Sequence, residues 1–288
     1  MLVSRYDPIV LVAALVVAIV LVGALALLPV GYNVVGPRLE GRRRRRNDRS
    51  FIDHGSRNHR VNRHLPANPR CKLCYVPFGG IGRVLGIRPS RKNSNFCRAC
   101  FEAAPAGGHE TDIGVLFADA RGFTAWSARE SPTVVAAALN RFYRGATAAL
   151  MAHDALIDKF VGDEVMAIFI AGLPSLGATT CDQMLAAAME LMTAARTSFI
   201  ELPIGVGLHR GTAWVGNVGD NDVKDFTAIG DVVNVASRLL SCAGPGEIVM
   251  SDEVYLGLTA PPPSVARTFA VKGKDEALRA HVTTPAAV

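Results

Sequence analysis

Lys159-Phe160-Val161-Gly162-Asp163-Glu164-Val165-Met166-Ala167-Ile168-Phe169, or KFVGDEVMAIF, is the stretch on which the fold turns. Apolar residues flank Gly162-Asp163 on both sides, and a glycine-containing pair between two such runs reads as a tight turn joining two short strands. A hairpin of this kind holds a carboxylate on a rigid edge, where it can serve a hard cation such as Mg2+. A second aspartate, Asp119 in LFADARGF (116–123), ends another apolar segment. Either aspartate alone is an ordinary turn residue; as a pair they are candidate ligands of shared divalent cations. After Asp119, the run Arg121-Gly122-Phe123 leads toward a helix whose free backbone N–H groups can receive phosphate, and Gly122 permits close approach.

Outward from these two points, strand and helix patterns alternate. The periodicity predicts a strand over 113–117, helices over 132–153 and 182–198, strands over 204–208 and 213–218, and a helix over 232–243. This predicts an α+β sandwich with helices on one face of a mostly antiparallel sheet, containing one hairpin. On the last helix Asn234 and Arg238 are four residues apart and project from one face.

Upstream lies a compact segment, 69–102, with two C-x-x-C pairs: Cys71 and Cys74, then Cys97 and Cys100, with 22 residues between the pairs. Two such pairs can complete a closed tetrahedral thiolate shell around Zn2+, with no position left open for chemistry. An iron–sulfur cluster and a pair of redox-active disulfides are the other readings. Cys181 and Cys242 fall in helix-like segments and read as core thiols.

Farther upstream, residues 9–30 form a nearly unbroken apolar run, long enough to cross a bilayer. Residues 1–35 are therefore expected to be a single-pass anchor, the alternative being a cleaved signal peptide. Arg42 to Arg46 follow the run like a stop-transfer block and place the remainder on the cytoplasmic side of the cell membrane. Residues 36–68 read as a basic juxtamembrane linker. The formal net charge of +6 for the 288 residues is concentrated in that neighbourhood, and the arginines there lack interleaved aromatics for base stacking, so no nucleic acid partner is expected.

Four ordered motifs, FADARGF, KFVGDEVMAIF, GVGLHRGTAWVGNVG and DFTAIGDVVNVASRL, resemble the class III adenylate and guanylate cyclases over residues 114–274. The resemblance implies a ferredoxin-like cyclase sandwich, here placed at 109–280. It implies that Asp119 and Asp163, with the backbone carbonyl of Ala120, bind two Mg2+ or Mn2+ ions. Lys159 and Thr227 match purine-recognising positions. A lysine donor and a hydroxyl suit adenine N1 and N6, whereas the family's guanylate members usually carry Glu at the lysine position, so ATP is favoured over GTP. Phe123 falls among the substrate-binding residues. Asn234 orients the ribose, Arg238 stabilises charge on the transferring phosphate, and Lys272 in VKGK, or its neighbour Lys274, binds phosphate. The implied reaction is attack of the ribose 3′-hydroxyl on the α-phosphorus of ATP, giving cyclic AMP and pyrophosphate. Because the family splits these residues between subunits and this chain carries both sets, a homodimer with two composite sites is expected. The alternatives are a guanylate cyclase and a catalytically silent nucleotide-binding receptor.

Overall fold

The computed structural model describes residues 62, 69–72, 74–90, 94–101, 107–171, 179–198, 202–219, 224–270 and 277–285. The expected anchor and basic linker lie outside these residues, apart from Asn62, and so do Lys272 and Lys274. Among the described residues, no helix is long and apolar enough to cross a membrane.

In chain order the elements are α1 (Ile81–Val84), α2 (Arg98–Phe101), β1 (Gly107–Ala120), α3 (Phe123–Ser127), α4 (Pro132–Ala152), β2 (Leu156–Val161), β3 (Glu164–Ile170), α5 (Thr180–Ser198), β4 (Ile204–Gly219), β5 (Lys224–Ile229), α6 (Asp231–Cys242), β6 (Ile248–Ser251), α7 (Asp252–Tyr255), β7 (Val265–Phe269) and β8 (Leu278–Thr283). They build one sheet in the order β2-β3-β1-β4-β6-β8-β7, with β5 also paired to β4. The β1-α4-β2-β3-α5-β4 part, with strand order β2-β3-β1-β4 and antiparallel pairing, is the ferredoxin-like βαββαβ unit. Among the described strands, β4 and β6 are the parallel pair.

Period-two alternation divides the central strands between two cores. Leu116, Ala118, Val165, Ala167, Phe169, Val206 and Leu208 face the first core, under α4 and α5. Ile113, Val115, Phe117, Met166, Ile168 and Ile170 face the second, against Val232, Ala236 and Leu240 of α6 and the four cysteines of the upstream segment. Both faces are thus covered, which corrects the expectation of helices on one face.

Helix α4 begins at Pro132, whose missing N–H is lost at no cost in the first turn, and Ser131 Oγ accepts from Val134 N at 3.4 Å. Its buried stripe, Ala138, Phe142, Ala146, Ala149 and Leu150, follows the helical repeat. Full burial of a side chain such as Phe142 contributes about 1.5–3 kcal/mol. The helix stops where Asp154 takes a left-handed φ of 64°.

Two strands expected over 204–208 and 213–218 are one strand, β4. The polar, glycine-containing His209-Arg210-Gly211-Thr212 reads as a break, yet every one of these residues keeps its partner on β1, from Val115↔His209 to Asp112↔Thr212. The long pairing with β1 overrides the local breaker signal.

Candidate active site

The register decides where the carboxylates meet. Ala118 pairs with Val165 and Val161 with Glu164, so the end of β1 lies beside the tip of the β2–β3 hairpin. Gly162 in that tip has φ 59°, a backbone conformation that favours glycine. The tip is tied to α4 by Tyr143, whose hydroxyl donates to Gly162 O at 2.6 Å and whose ring stacks on Phe160 at 4.2 Å between centroids.

Asp163 Oδ2 accepts from Ala120 N at 3.2 Å, which draws together the three positions expected to hold metal: Asp119, Ala120 and Asp163. Asp119 Oδ1 lies 3.1 Å from Arg121 Nε, but this buried oxygen makes no hydrogen bond. Burial pushes the Asp119 carboxyl above its ordinary value; Arg121 opposes the rise and Asp163 adds to it. Asp163 is likewise raised by burial, against the backbone N–H groups of Asp163 and Ala120 and the charge of Arg121. Glu164 is raised by burial and then by Asp119 and Asp163. Three neighbouring acids, each raised by burial, with Asp163 adding to Asp119 and both adding to Glu164, and an orphaned carboxylate oxygen among them, fit a hard divalent cation. Arg121 is anchored away from the carboxylates as well: its N–H donates to Pro203 O at 2.8 Å and its Nη2 to Leu240 O.

A second group forms on β2 and β5. Lys159 Nζ stands 3.0 Å from Asp158 Oδ2 and 3.5 Å from Thr227 Oγ1, and Thr227 Oγ1 donates to Asp158 Oδ2 at 3.1 Å. Lys159 and Thr227, more than sixty residues apart in sequence, therefore present their polar ends side by side. The residue that joins them, Asp158, was not among the sequence candidates.

Asn234 and Arg238 both lie on α6, Asn234 exposed and Arg238 half-buried. Arg238 Nη1 is buried without a hydrogen-bond partner. Helix α6 rests directly on β4 because Gly207 has no side chain: a Cβ there would run into Leu240 N and Ala236 O. Among the described residues, no hydrogen bond or ion pair joins Asp119 or Asp163 to Asn234 or Arg238. Phe123 opens α3 and lies against Trp126, with centroids 5.6 Å apart. The four upstream cysteines also converge, their sulfurs all within 4.8 Å of one another, and can hold a metal ion.

Sequence reasoning missed Tyr143 and Asp158. Tyr143 sits next to a buried Phe142 in a helix and carries no local sign of its hairpin contact. Asp158 is visible only as a polar residue inside an apolar run, LIDKFV.

Residues 107–282 match the family model for the adenylate and guanylate cyclase catalytic domain. An adenylate cyclase of Anabaena cylindrica is 31% identical over 199 residues, covering 61% of this chain and 39% of that protein. Among solved structures, the guanylyl cyclase Cya2 superposes with a TM-score of 0.56 at 26% identity, covering 62% of this chain and 94% of that one. The adenylyl cyclase CyaB from P. aeruginosa gives a TM-score of 0.52 at 29% identity, covering 62% and 96%. The chain spans less than two fifths of the length of the first curated relatives it matches. With the motifs, the sheet order and the matched span in agreement, this chain belongs to the family of adenylate and guanylate cyclase catalytic domains.

Proposed function

We propose that the protein is an adenylate cyclase that converts ATP to 3′,5′-cyclic AMP and pyrophosphate as a homodimer with shared sites. The observation that carries the reading is the Lys159–Thr227 pair on Asp158, which offers an amine and a hydroxyl to one purine edge. Adenine presents an acceptor at N1 and a donor at N6, and this pair complements both. Relatives and neighbours include both adenylate and guanylate cyclases, so the preference for ATP rests on these side chains.

Asp119 and Asp163, with the Ala120 carbonyl, are the residues that would hold Mg2+ or Mn2+, two per site. When bound, these ions supply charge that acidifies the ribose 3′-hydroxyl and offsets the phosphates. The chain's own residues do the rest. Lys159 and Thr227 orient the base, and Asn234 holds the ribose. Arg238, whose Nη1 is buried and unpaired, offsets negative charge as it develops on the α-phosphate, with Lys272 on the leaving phosphates. Phe123, which opens α3, joins them in binding the substrate. Carboxylates of one protomer working with α6 of its partner accounts for the absence, among the described residues, of any hydrogen bond or ion pair between the two sets within one chain. The apolar run at residues 9–30 supports single-pass placement in the cell membrane with the catalytic part cytoplasmic.

The deciding experiment is conversion of ATP and of GTP by the purified chain with Mn2+ or Mg2+, beside the Asp163→Ala variant. Cyclic AMP formed only by the unmutated chain is the expected result. Preferential turnover of GTP would make it a guanylate cyclase; folded, dimeric, nucleotide-binding protein with no product would make it a silent receptor.

A further inference from the structure

Four cysteines outside the matched cyclase span, Cys71, Cys74, Cys97 and Cys100, are all buried, and none is in a disulfide. Their sulfurs lie within 4.8 Å of one another, and Cys74 Sγ stands 3.7 Å from Cys97 Sγ. Zn–S bonds of about 2.3 Å in a tetrahedron set sulfurs about 3.8 Å apart. Sulfurs at 3.7 Å are too far apart for a disulfide, whose S–S bond is about 2.05 Å. Cysteines around an iron–sulfur cluster stand off several iron atoms rather than one ion, and need a wider cage than this. The backbone is shaped to match: Cys97 N donates to Cys71 Sγ at 3.2 Å, and Tyr75, directly after the first pair, takes a left-handed φ of 59° that a tyrosine rarely adopts.

The cysteine segment is also fastened to the catalytic fold at one corner. Lys72 pairs with the buried carboxylate of Asp154, and Asn95 Nδ2 donates to Met151 O at 3.3 Å, both at the turn from α4 into β2. Gln183 of α5 holds the same Asp154 at 3.0 Å. The cysteines share a core with Leu156, the first residue of β2, and Lys159 follows three residues later on that strand.

We propose that the four cysteines bind one structural Zn2+ ion, and that this ion clasps residues 69–101 to the α4–β2 corner and so fixes the base of the strand that carries Lys159. The ion site itself stands apart from the cyclase reading, since it uses no residue of that site; only the consequence for Lys159 rests on it. A closed thiolate shell leaves no position for substrate, so the ion's role is structural. Without it, four buried thiols are left packed against one another.

The test begins with metal analysis of the full chain purified without added metal, expected to give close to one zinc per chain. Replacement by Co2+ is expected to give the intense visible spectrum of a tetrahedral tetrathiolate site. Hydrogen exchange at residues 150–157 is then compared before and after the zinc is released with a mercurial and captured by a chelator. Faster exchange there, reversed by thiol and zinc, is expected, and a Cys97→Ser/Cys100→Ser variant should resemble the stripped chain. If that variant does not fold, the strip-and-reload comparison on the unmutated chain still decides. Little or no bound zinc, or a coloured protein holding iron and sulfide, would overturn the ion; full zinc whose removal leaves exchange at 150–157 unchanged would overturn the clasp. None of these readouts depends on cyclase activity.

Discussion

Asp158 holds Lys159, its own neighbour in the chain, with 3.0 Å between carboxylate and amine. In a regular strand consecutive side chains point to opposite faces. Here the register of β2 against β3 shifts between Ile157 and Lys159, an irregularity that frees Asp158 from strict alternation. The fully buried carboxylate therefore aims both the amine and the Thr227 hydroxyl. Asp158→Asn keeps the shape but removes the charge. We expect kcat/KM for ATP to fall about tenfold, near the low end of about 1.5 kcal/mol for a hydrogen bond to a charged group, with the ATP/GTP ratio falling too. Steady-state kinetics with both nucleotides check this; unchanged discrimination would mean that Asp158 is a packing residue only.

The same pair predicts how specificity moves. Lys159→Glu replaces a donor by an acceptor, which faces adenine N1 unfavourably and guanine's donors favourably. ATP turnover should collapse while the ratio of GTP to ATP kcat/KM rises. A variant that loses both nucleotides in equal proportion would place Lys159 outside purine recognition.

The raised carboxyls of Asp119, Asp163 and Glu164 give a pH dependence with a definite sign. Their folded-state values lie above the unfolded ones, so the metal-free fold binds more protons than the unfolded chain. Its stability from these groups falls as pH rises from the ordinary carboxylate range, near 4, through the raised values. Divalent cations need the ionised form, so the thermal upshift on adding Mn2+ should grow over the same interval. Asp163→Asn should make the metal-free protein more stable at neutral pH while abolishing both activity and the Mn2+ response. Thermal melts at several pH values, with chelator or Mn2+, measure it; an upshift independent of pH would remove these acids from the metal site.

Much of this arrangement is legible in the sequence because it is local. The hairpin around Gly162-Asp163, helices α4, α5 and α6, and the placement of Asn234 and Arg238 on one helix all follow from short-range periodicity. What escaped depends on pairing between distant segments. His209-Arg210-Gly211-Thr212 reads as a break until β1 is laid beside it, and the contact of Asp158 with Thr227 depends on a register shift that no residue type announces. Strands β5 to β8 went unforeseen for a similar reason: they are short, and β7 and β8 become strands by pairing with each other and with β6. The cysteine pairs announced a candidate metal site, but their docking on the second sheet face is a tertiary fact.

Tyr143→Phe removes the hydroxyl that donates to Gly162 O and keeps the ring that stacks on Phe160. Loss of one such hydrogen bond costs about 0.5–1.5 kcal/mol, toward the lower end here because the contact is exposed. The larger effect should appear in the metal dependence, because the hairpin tip carries Asp163. A higher Mn2+ concentration for half-maximal rate, with a small change in Tm, is expected. A stability change alone would confine Tyr143 to the fold.

At Gly207 the backbone of α6 lies directly against β4. In Gly207→Ala the new methyl meets backbone, not the end of a flexible side chain, so the helix itself must shift. Overpacking of this kind costs about 1–3 kcal/mol. The shift carries Asn234 and Arg238 with it, so kcat should fall more than KM for ATP changes, leaving purine selection by Lys159 and Thr227 intact. Loss of selection along with rate would show that the damage spread beyond α6.

The division of the site between protomers is tested by mixing two dead chains. Asp119→Ala removes a metal carboxylate, and Arg238→Ala removes the charge on α6; each homodimer has two broken sites. In a heterodimer both lesions fall in one composite site and the other is left whole. With equal amounts and random exchange, half the dimers are mixed and half their sites are intact, so activity should return to about a quarter of the unmutated level. Activity that stays at zero despite mixing proven by differently tagged chains would mean that each site is built within a single protomer. In that case the separation of Asp119 and Asp163 from Arg238 within the chain would have to be closed by a movement of α6 toward the hairpin, and the freedom of α6 to slide over Gly207 would become the next quantity to measure.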